Sequence, residues 1–512
     1  MRSLILITLI ISILFMANPL LSAPTLKWEL KPKYGSSAAT QTPAVSDEGI
    51  IFFSRPNDMK FFAAKPDGSL KWEKKIGPNI NSSPAIGPKG TVYIGGKDNK
   101  LCAVNPEDGS IKWYYPCENK INTTPAIARD GTIYVSPYNK KLHAIKPDGT
   151  KKWVFEHSGF RAGSSPSIGK DETVYLADMA LYAINSNGNL KWKYDPSLNG
   201  FEYAPAIGAD GTIYVGSSYD GSLHAVSQQG EAKWIHKPKN SSGIFSTPAI
   251  GPEGTIYIGK QIADEPFNIF YAINPEDGST KWKFRLESNI LYSPTVGKDG
   301  TIYLGVMYKP KNWVNKSPSA IYALNSEDGS LVWKYPFDKC VGGSQATPTI
   351  VSDGTLYIGS LYALQTNSKG LANSPWPIFH HDQKNSGQAS PSQEPVADLK
   401  ANNSNGPITI SSKDSLSITA SLYPHTYQDR QAEYWFVAFV PNAWYYLNKN
   451  LLWQKGFTSF VSGRFIKFSN IELPNPPVRT GKNFVGFVID DNPDGDIAND
   501  KYWFDLNEVN LK

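Results

Sequence analysis

Near the C-terminus, Asp490, Asp491, Asn492, Asp494 and Asp496 bracket Pro493 and Gly495, so side-chain oxygens stand at alternate positions around a glycine. That spacing is the first half of a calcium-binding loop. Counted from Asp490, the twelfth position is Lys501, where an EF-hand needs a bidentate Glu, so the loop is not an EF-hand. A structural calcium held by Asp490, Asn492, Asp494 and Asp496 is one reading, and a polar hairpin loop is the other; no other cofactor is expected. A second set of metal-ligating types is His380, His381 and Asp382, close to Trp376 and Phe379. Neighbouring side chains in an extended segment point to opposite sides, so packing and hydrogen bonding are expected there. Cys102, Cys117 and Cys340 leave at least one thiol unpaired or force an intermolecular bond, and Cys102 could bridge Cys117 within one repeat. Tyr434, Trp435, Trp444, Tyr445, Tyr446 and Trp453 could stack on a sugar, although strand alternation sends half of such residues into a core.

These residues hang on a repeat. The stretch SSPAIGPKGTVYIGGKDNKLCAVNPEDGSIKWYY, residues 82–115, recurs on both sides of itself. It contains the short apolar runs PAI, TVYIG and LCAV, then IKWYY, separated by Gly-containing turns, which predicts four strands in a meander. Two columns fix the register. Prolines open the units at Pro43, Pro84, Pro125, Pro166, Pro205, Pro248, Pro294 and Pro348. Tryptophans close them at Trp28, Trp72, Trp113, Trp153, Trp192, Trp234, Trp282 and Trp333. A period near 40 residues with four strands is the signature of a propeller blade, so the spacing predicts an all-β, eight-bladed β-propeller. The Trp column begins before the Pro column, and the last unit ends at LYALQ around Tyr362 without a Lys-Trp strand. The strand around Trp28 is therefore expected to complete the eighth blade and remove the open sheet edges. One Trp per blade reads as an inter-blade packing ring. The column Phe62, Cys102, His143, Tyr182, His224, Tyr271, Tyr322 and Tyr362 makes Cys102 a small core filler, and it makes His143 and His224 substitutes for aromatic rings.

The run Ala63 to Trp72, AKPDGSLKW with its preceding Ala, and its echoes ending at Trp113, Trp192, Trp282 and Trp333 resemble the tryptophan-docking repeat of quinoprotein (PQQ-dependent) dehydrogenase-like propellers. That superfamily also holds non-catalytic members, such as the propeller lipoprotein of the outer-membrane β-barrel assembly machinery, so the resemblance implies a fold more firmly than an activity. The quinoprotein alcohol dehydrogenases it resembles carry adjacent cysteines over the quinone, a calcium and an Asp base. Here no two cysteines are adjacent and no Cys-x-x-Cys-His haem motif occurs. The expectation is a non-catalytic binding or scaffold protein, with a PQQ- or metal-dependent oxidoreductase and a carbohydrate-binding C-terminal module as alternatives. Where a ligand or partner binds, the connections from each Trp strand to the next Pro should carry it. Most are small and polar; Arg161, Glu202, Tyr203, Tyr292 and Gln345 depart from that pattern. The segment 374–395 resembles a tail that closes bacterial propellers of this kind.

Residues 1–23 pair an early Arg2 with an apolar run and Leu-Ser-Ala, which reads as a signal peptide cut near Ala23. The mature chain is then expected outside the cytoplasm, in the periplasm, at the cell surface or secreted, with a protein or cell-envelope partner. Loss of Arg2 takes the formal charge from +5 to +4, too little and too dispersed for a nucleic-acid footprint. A monomer is expected, with the propeller over 24–387, a linker over 388–396 and a β-sandwich over 397–512, where ITISS, SLSITASLY, AEYWFVAFV, AWYYL, NFVGFVID and KYWFDLNEVNL read as strands.

Overall fold

The structure is a computed structural model. It describes residues 23–30 and 41–389, less short stretches that include 160–163, 287–289, 308–318 and 338–346, and beyond 395 the strands alone. The signal-peptide reading therefore lies outside the described residues, save its last position. All regular structure among them is β. The chain divides into a unit Met1–Ala389 and a unit Ser390–Lys512.

The first unit is an eight-bladed propeller. Blade 1 shows the pattern: strand A (Ala44–Val45), B (Ile51–Arg55), C (Lys60–Ala64) and D (Leu70–Lys75) pair antiparallel in that order. Strand A is the innermost and is only two residues long, because the chain turns back at Gly49 with φ +79°, a conformation glycine adopts without steric cost. Blades 2 to 5 repeat this order. Blades 6 and 7 each gain a short fifth strand, Ser241–Ile244 and Ile290–Leu291, which pairs with a lengthened strand B. The insertions that stretch the sequence period thus extend the sheets. In blade 8, strands A (Thr349–Ile350), B (Thr355–Ile358) and C (Tyr362–Gln365) are completed by the N-terminal strand Thr25–Glu29, with Trp28 opposite Ala363 and Glu29 opposite Tyr362. The ring closes without a covalent bond, and the Tyr362 hydroxyl donates to Glu29 at 2.8 Å across the joint.

Two ladders link neighbouring blades. In the outer one, the indole Nε1–H of Trp28, Trp72, Trp113, Trp153, Trp192, Trp234 and Trp282 donates to a carbonyl in the C–D turn of the following blade, at 2.7 to 3.1 Å. The ring lies on that turn's glycine: a Cβ at Gly109 would stand 2.8 Å from Trp72. The eighth, Trp333, faces blade 8, whose strands C and D are not joined by a turn. In the inner ladder, which runs from blade 2 to blade 7, the second residue after the Trp meets the aromatic column of the next strand C. Tyr115 meets His143 at 3.1 Å, Tyr194 meets His224 at 2.9 Å, and Phe155 packs edge-on to Tyr182. His143 and His224 thus occupy aromatic positions in separate blades. Burial pushes both imidazoles down to about 4.

Cys102 and Cys117 are both free and buried. Within blade 2, Cys102 pairs across from Tyr114, while Leu101 pairs with Tyr115. Side chains alternate along a strand, so Cys102 and Cys117 project from opposite faces. Cys102 packs with Phe52, Phe61 and Trp72 toward blade 1, and Cys117 packs with Ile127 and Ile133 toward blade 3. A bridge within the repeat is excluded by strand parity. Cys340 lies outside the described residues.

The second unit contains a three-stranded sheet, in which Ile418–Tyr423 lies between Val396–Ala401 and Phe468–Leu473. Its seven-stranded sheet is built around Gln431–Val440, Gly481–Asp490 and Tyr502–Leu511. Asp490 ends one of these strands, and Asn492, Asp494 and Asp496 lie outside the described residues.

Candidate binding mouths of the propeller

Each strand A begins at the connection from the previous strand D and ends at the A–B turn, so the central channel has a D–A mouth and an A–B mouth. The two are built differently. At the A–B mouth the segment 370–389 runs across the innermost strands and supplies main-chain carbonyls to their free edges. The N–H of Val45 donates to Gln383, Ile86 to Lys384, Ile127 to Ser386 and Ile168 to Gly387. On the other side of the ring, Ile250 donates to Trp376 and Val296 to Pro377. These six bonds span 2.7 to 2.9 Å. An inner strand edge left dry and unpaired would be costly; the tail removes that cost in six blades. Trp376 is wholly buried among Tyr175, Ile207 and Tyr214.

His380, His381 and Asp382 belong to this plug and are not extended. His380 and His381 have φ of +54° and +72°, so the chain makes a tight turn, and the alternation expected of an extended segment does not apply. The turn is held by Asp382, whose carboxylate accepts from the main-chain N–H of Lys384 and Ser386, both at 3.0 Å, and from the Ser386 hydroxyl at 2.7 Å. His380 lies 3.2 Å through Nδ1 from the Asn385 carbonyl; since a carbonyl only accepts, Nδ1 carries the proton. Burial holds this imidazole at about 4. Asn385 donates onward to the Pro84 carbonyl at 3.0 Å. The role of the tail is packing and hydrogen bonding.

The D–A mouth is lined by side chains. The residue before each proline bears a hydroxyl in most blades, and main-chain N–H groups reach it from the blade alongside: Thr42 to Ser83 at 3.1 Å, Thr124 to Ser165 at 2.9 Å, Thr247 to Ser293 at 3.0 Å and Thr347 to Thr42 at 3.1 Å. Blade 5 has Ala204 at this position. One residue earlier, Ser82, Ser164 and Ser246 accept an N–H from the fourth residue of their own strand B. Blades 5 and 7 carry Tyr203 and Tyr292 there instead.

Of the five residues singled out at this mouth, three are described. Glu202 is exposed, Tyr203 half-buried and Tyr292 buried. Burial, with the neighbouring Glu202 charge, raises the Tyr203 phenol above its ordinary range. Tyr292 is fixed by its main-chain N–H, which donates to Gly305 at 3.0 Å. Glu202 and Tyr203 enter blade 5 and Tyr292 enters blade 7, so the ring places them on one face with blade 6 between them. Arg161 and Gln345 lie outside the described residues.

The serine and threonine hydroxyls of this mouth accept main-chain N–H groups between and within blades, and among the described residues no three His, Cys, Asp or Glu side chains gather around one ion position. What sequence reasoning missed is the pair His157 and Asp178, which meet between blades 3 and 4. The signal was present, because both depart from their repeat columns. His157 stands where other blades have Ile76, Cys117, Leu286 and Phe337, and Asp178 is the one acid in a column that elsewhere holds Arg55, Gly96, Pro137, Ser217, Lys260 and Val306.

Several solved structures are distantly similar to this chain. The quinohemoprotein alcohol dehydrogenase from Comamonas testosteroni is 12% identical over 70% of this chain and 78% of its own, with a TM-score of 0.51. The computationally designed protein Ika8 is 12% identical over 65% of this chain and 98% of its own, with a TM-score of 0.52. BamB from Moraxella catarrhalis is 18% identical over 59% of this chain and 84% of its own, with a TM-score of 0.41. No curated protein sequence matches significantly. At such identities the structural likenesses speak for the fold alone. The family model described as outer membrane protein assembly factor BamB matches residues 62–219 and 219–372, more than half of the chain, and the chain belongs to that family.

Proposed function

We propose that the protein is an exported, non-catalytic scaffold that presents the D–A mouth of its propeller to a protein partner of the cell envelope. The asymmetry of the two mouths carries this reading. Main-chain bonds to the protein's own tail occupy the A–B mouth, whereas the D–A mouth carries the side chains that break the repeat. Loops mounted on a rigid ring are where binding residues concentrate. Exposed Glu202 beside the half-buried Tyr203 offers a charge and a ring on one short connection, a combination suited to a polypeptide surface. Membership of the assembly-factor family supports an extracytoplasmic setting and a protein partner. In the second unit, Asp490, Asn492, Asp494 and Asp496 would hold a structural calcium, and the aromatic strand residues from Tyr434 to Trp453 would serve any glycan contact. We take the protein to act as a monomer.

The test is site-directed photocrosslinking in the producing cell. A photoreactive residue at Glu202 should give discrete adducts with envelope proteins, while the same residue at exposed Leu190, on the outer strand of blade 4, should give none. Equal labelling from both positions would sink the reading. Tight calcium-dependent binding of PQQ by the purified protein, measured by calorimetry, would replace it with the oxidoreductase.

A further inference from the structure

We propose that His157 and Asp178 form a binding site for a divalent transition-metal ion at the joint between blades 3 and 4. His157 follows strand D of blade 3 (Lys151–Glu156), and Asp178 follows strand B of blade 4 (Val174–Ala177). Nδ1 of His157 lies 3.2 Å from Oδ2 of Asp178, with the two side chains 0% and 7% exposed. At that distance the two groups form an ion pair only if the imidazole is protonated. Yet neither ring nitrogen of His157, nor Oδ2 of Asp178, has a hydrogen-bond partner. Buried polar atoms without partners are rare and call for an ion or water.

The other histidines of the propeller show how unusual this is. His224 is satisfied at both nitrogens, by the Tyr194 and Ser222 hydroxyls. His143, His236 and His380 each engage Nδ1, with Tyr115, the Gly278 carbonyl and the Asn385 carbonyl. Only at His157 do an unpartnered imidazole and an unpartnered carboxylate oxygen face each other among the described residues.

The separation suits a shared ion. Ligand bonds of about 2.1 Å to nitrogen and to oxygen across this gap subtend an angle of about 100°, within the range of tetrahedral and octahedral sites. An imidazole with a carboxylate favours zinc, cobalt, nickel or copper over calcium. The remaining positions would fall to main-chain or solvent oxygens. Asp178 is held in place, as a preformed site requires: its Oδ2 packs against Gly159 where any Cβ would collide with it, the Phe201 N–H donates to the Asp178 carbonyl, and the Asp178 N–H donates to Ala180 at 2.9 Å. Since Phe201 precedes Glu202, a metal here would tie the D–A connections on both sides of blade 4 together.

The experiment uses the untagged mature protein, stripped with chelator. Cobalt and copper are added separately, with visible absorption and electron paramagnetic resonance as readouts. One equivalent of copper should bind with superhyperfine splitting from a single nitrogen, and zinc should compete for it. His157→Gln and Asp178→Asn should each weaken binding by at least roughly 100-fold. Asp178→Glu, which keeps a carboxylate, guards against a variant that merely misfolds: a folded D178E protein that binds with altered spectra supports the site. Absence of nitrogen-coupled binding in the parent protein, or binding unchanged in H157Q, overturns the proposal and leaves a buried ion pair. The outcome is independent of the crosslinking at Glu202.

Discussion

The two mouths of the propeller solve one problem in opposite ways. Both are rings of eight connections around the same channel, but the A–B mouth is held by main-chain atoms and the D–A mouth by side chains. Carbonyls of 370–389 serve inner strands in six blades whatever their side chains, so the A–B turns can stay uniform. At the D–A mouth each blade chooses its own residue, and Tyr203, Tyr292 and the Asp178 joint are departures that the fold tolerates because the sheets below them are already complete. Uniform backbone chemistry builds the ring, and local side-chain variation individualises one face of it.

The sharpest way to break the comparison is at the ring closure. Deleting residues 25–29 removes strand D of blade 8 and leaves Tyr362–Gln365 as an open edge. The expected result is the largest loss of thermal stability of any change considered, read as a fall in Tm by calorimetry; an unchanged Tm would refute non-covalent closure.

Acid should come next. Burial holds His143, His224, His236 and His380 at about 4 in the folded protein, against an ordinary value of 6.5. Between these values the unfolded chain takes up protons that the folded one refuses. Stability is therefore fully present above pH 6.5 and falls as the pH drops toward 4. Each pKa unit corresponds to about 1.4 kcal/mol, so these rings together, with partly exposed His236 contributing least, predict a loss on the order of 10 kcal/mol by pH 4, measured by denaturant titration across this range. His380→Gln should flatten the profile; an unaltered slope would show that this ring protonates freely in the plug.

Trp376→Ala tests the sealed mouth alone. Truncating a wholly buried indole should cost about 3–5 kcal/mol, while leaving crosslinking from Glu202 in place at temperatures where the variant is folded. Trp113→Phe keeps an aromatic ring but removes the N–H that donates to the Pro147 carbonyl, and should cost about 1 kcal/mol. The smallest effect belongs to the open mouth. Tyr203→Ser restores the hydroxyl found in the sister blades and should change stability by less than about 1 kcal/mol, yet abolish partner crosslinking. A large drop in stability instead would make Tyr203 a structural residue and erase the contrast between the mouths.

Much of the propeller was legible in the residues because a repeat reports the same packing problem eight times. The Pro and Trp columns give blade number, strand order and the N-terminal closure. The parity that separates Cys102 from Cys117 was also readable: with Cys102 opposite Tyr114, Cys117 lies an odd number of residues further on and must leave the other face. His380 and His381 were misjudged because their positive φ arises from a turn that exists only once Asp382 caps it and the ring surrounds it.

By itself, then, the sequence determined the ring: period, turn glycines and the Trp column dictate four-stranded blades, since each must bury the same apolar faces against its neighbour. The tertiary structure alone decided how the channel ends. The tail binds through carbonyls that every residue possesses, so no side-chain pattern encodes which strands they meet. His157 and Asp178 lie 21 positions apart in the sequence, in columns that never touch within a blade, and only the stacking of one blade on the next brings them to 3.2 Å.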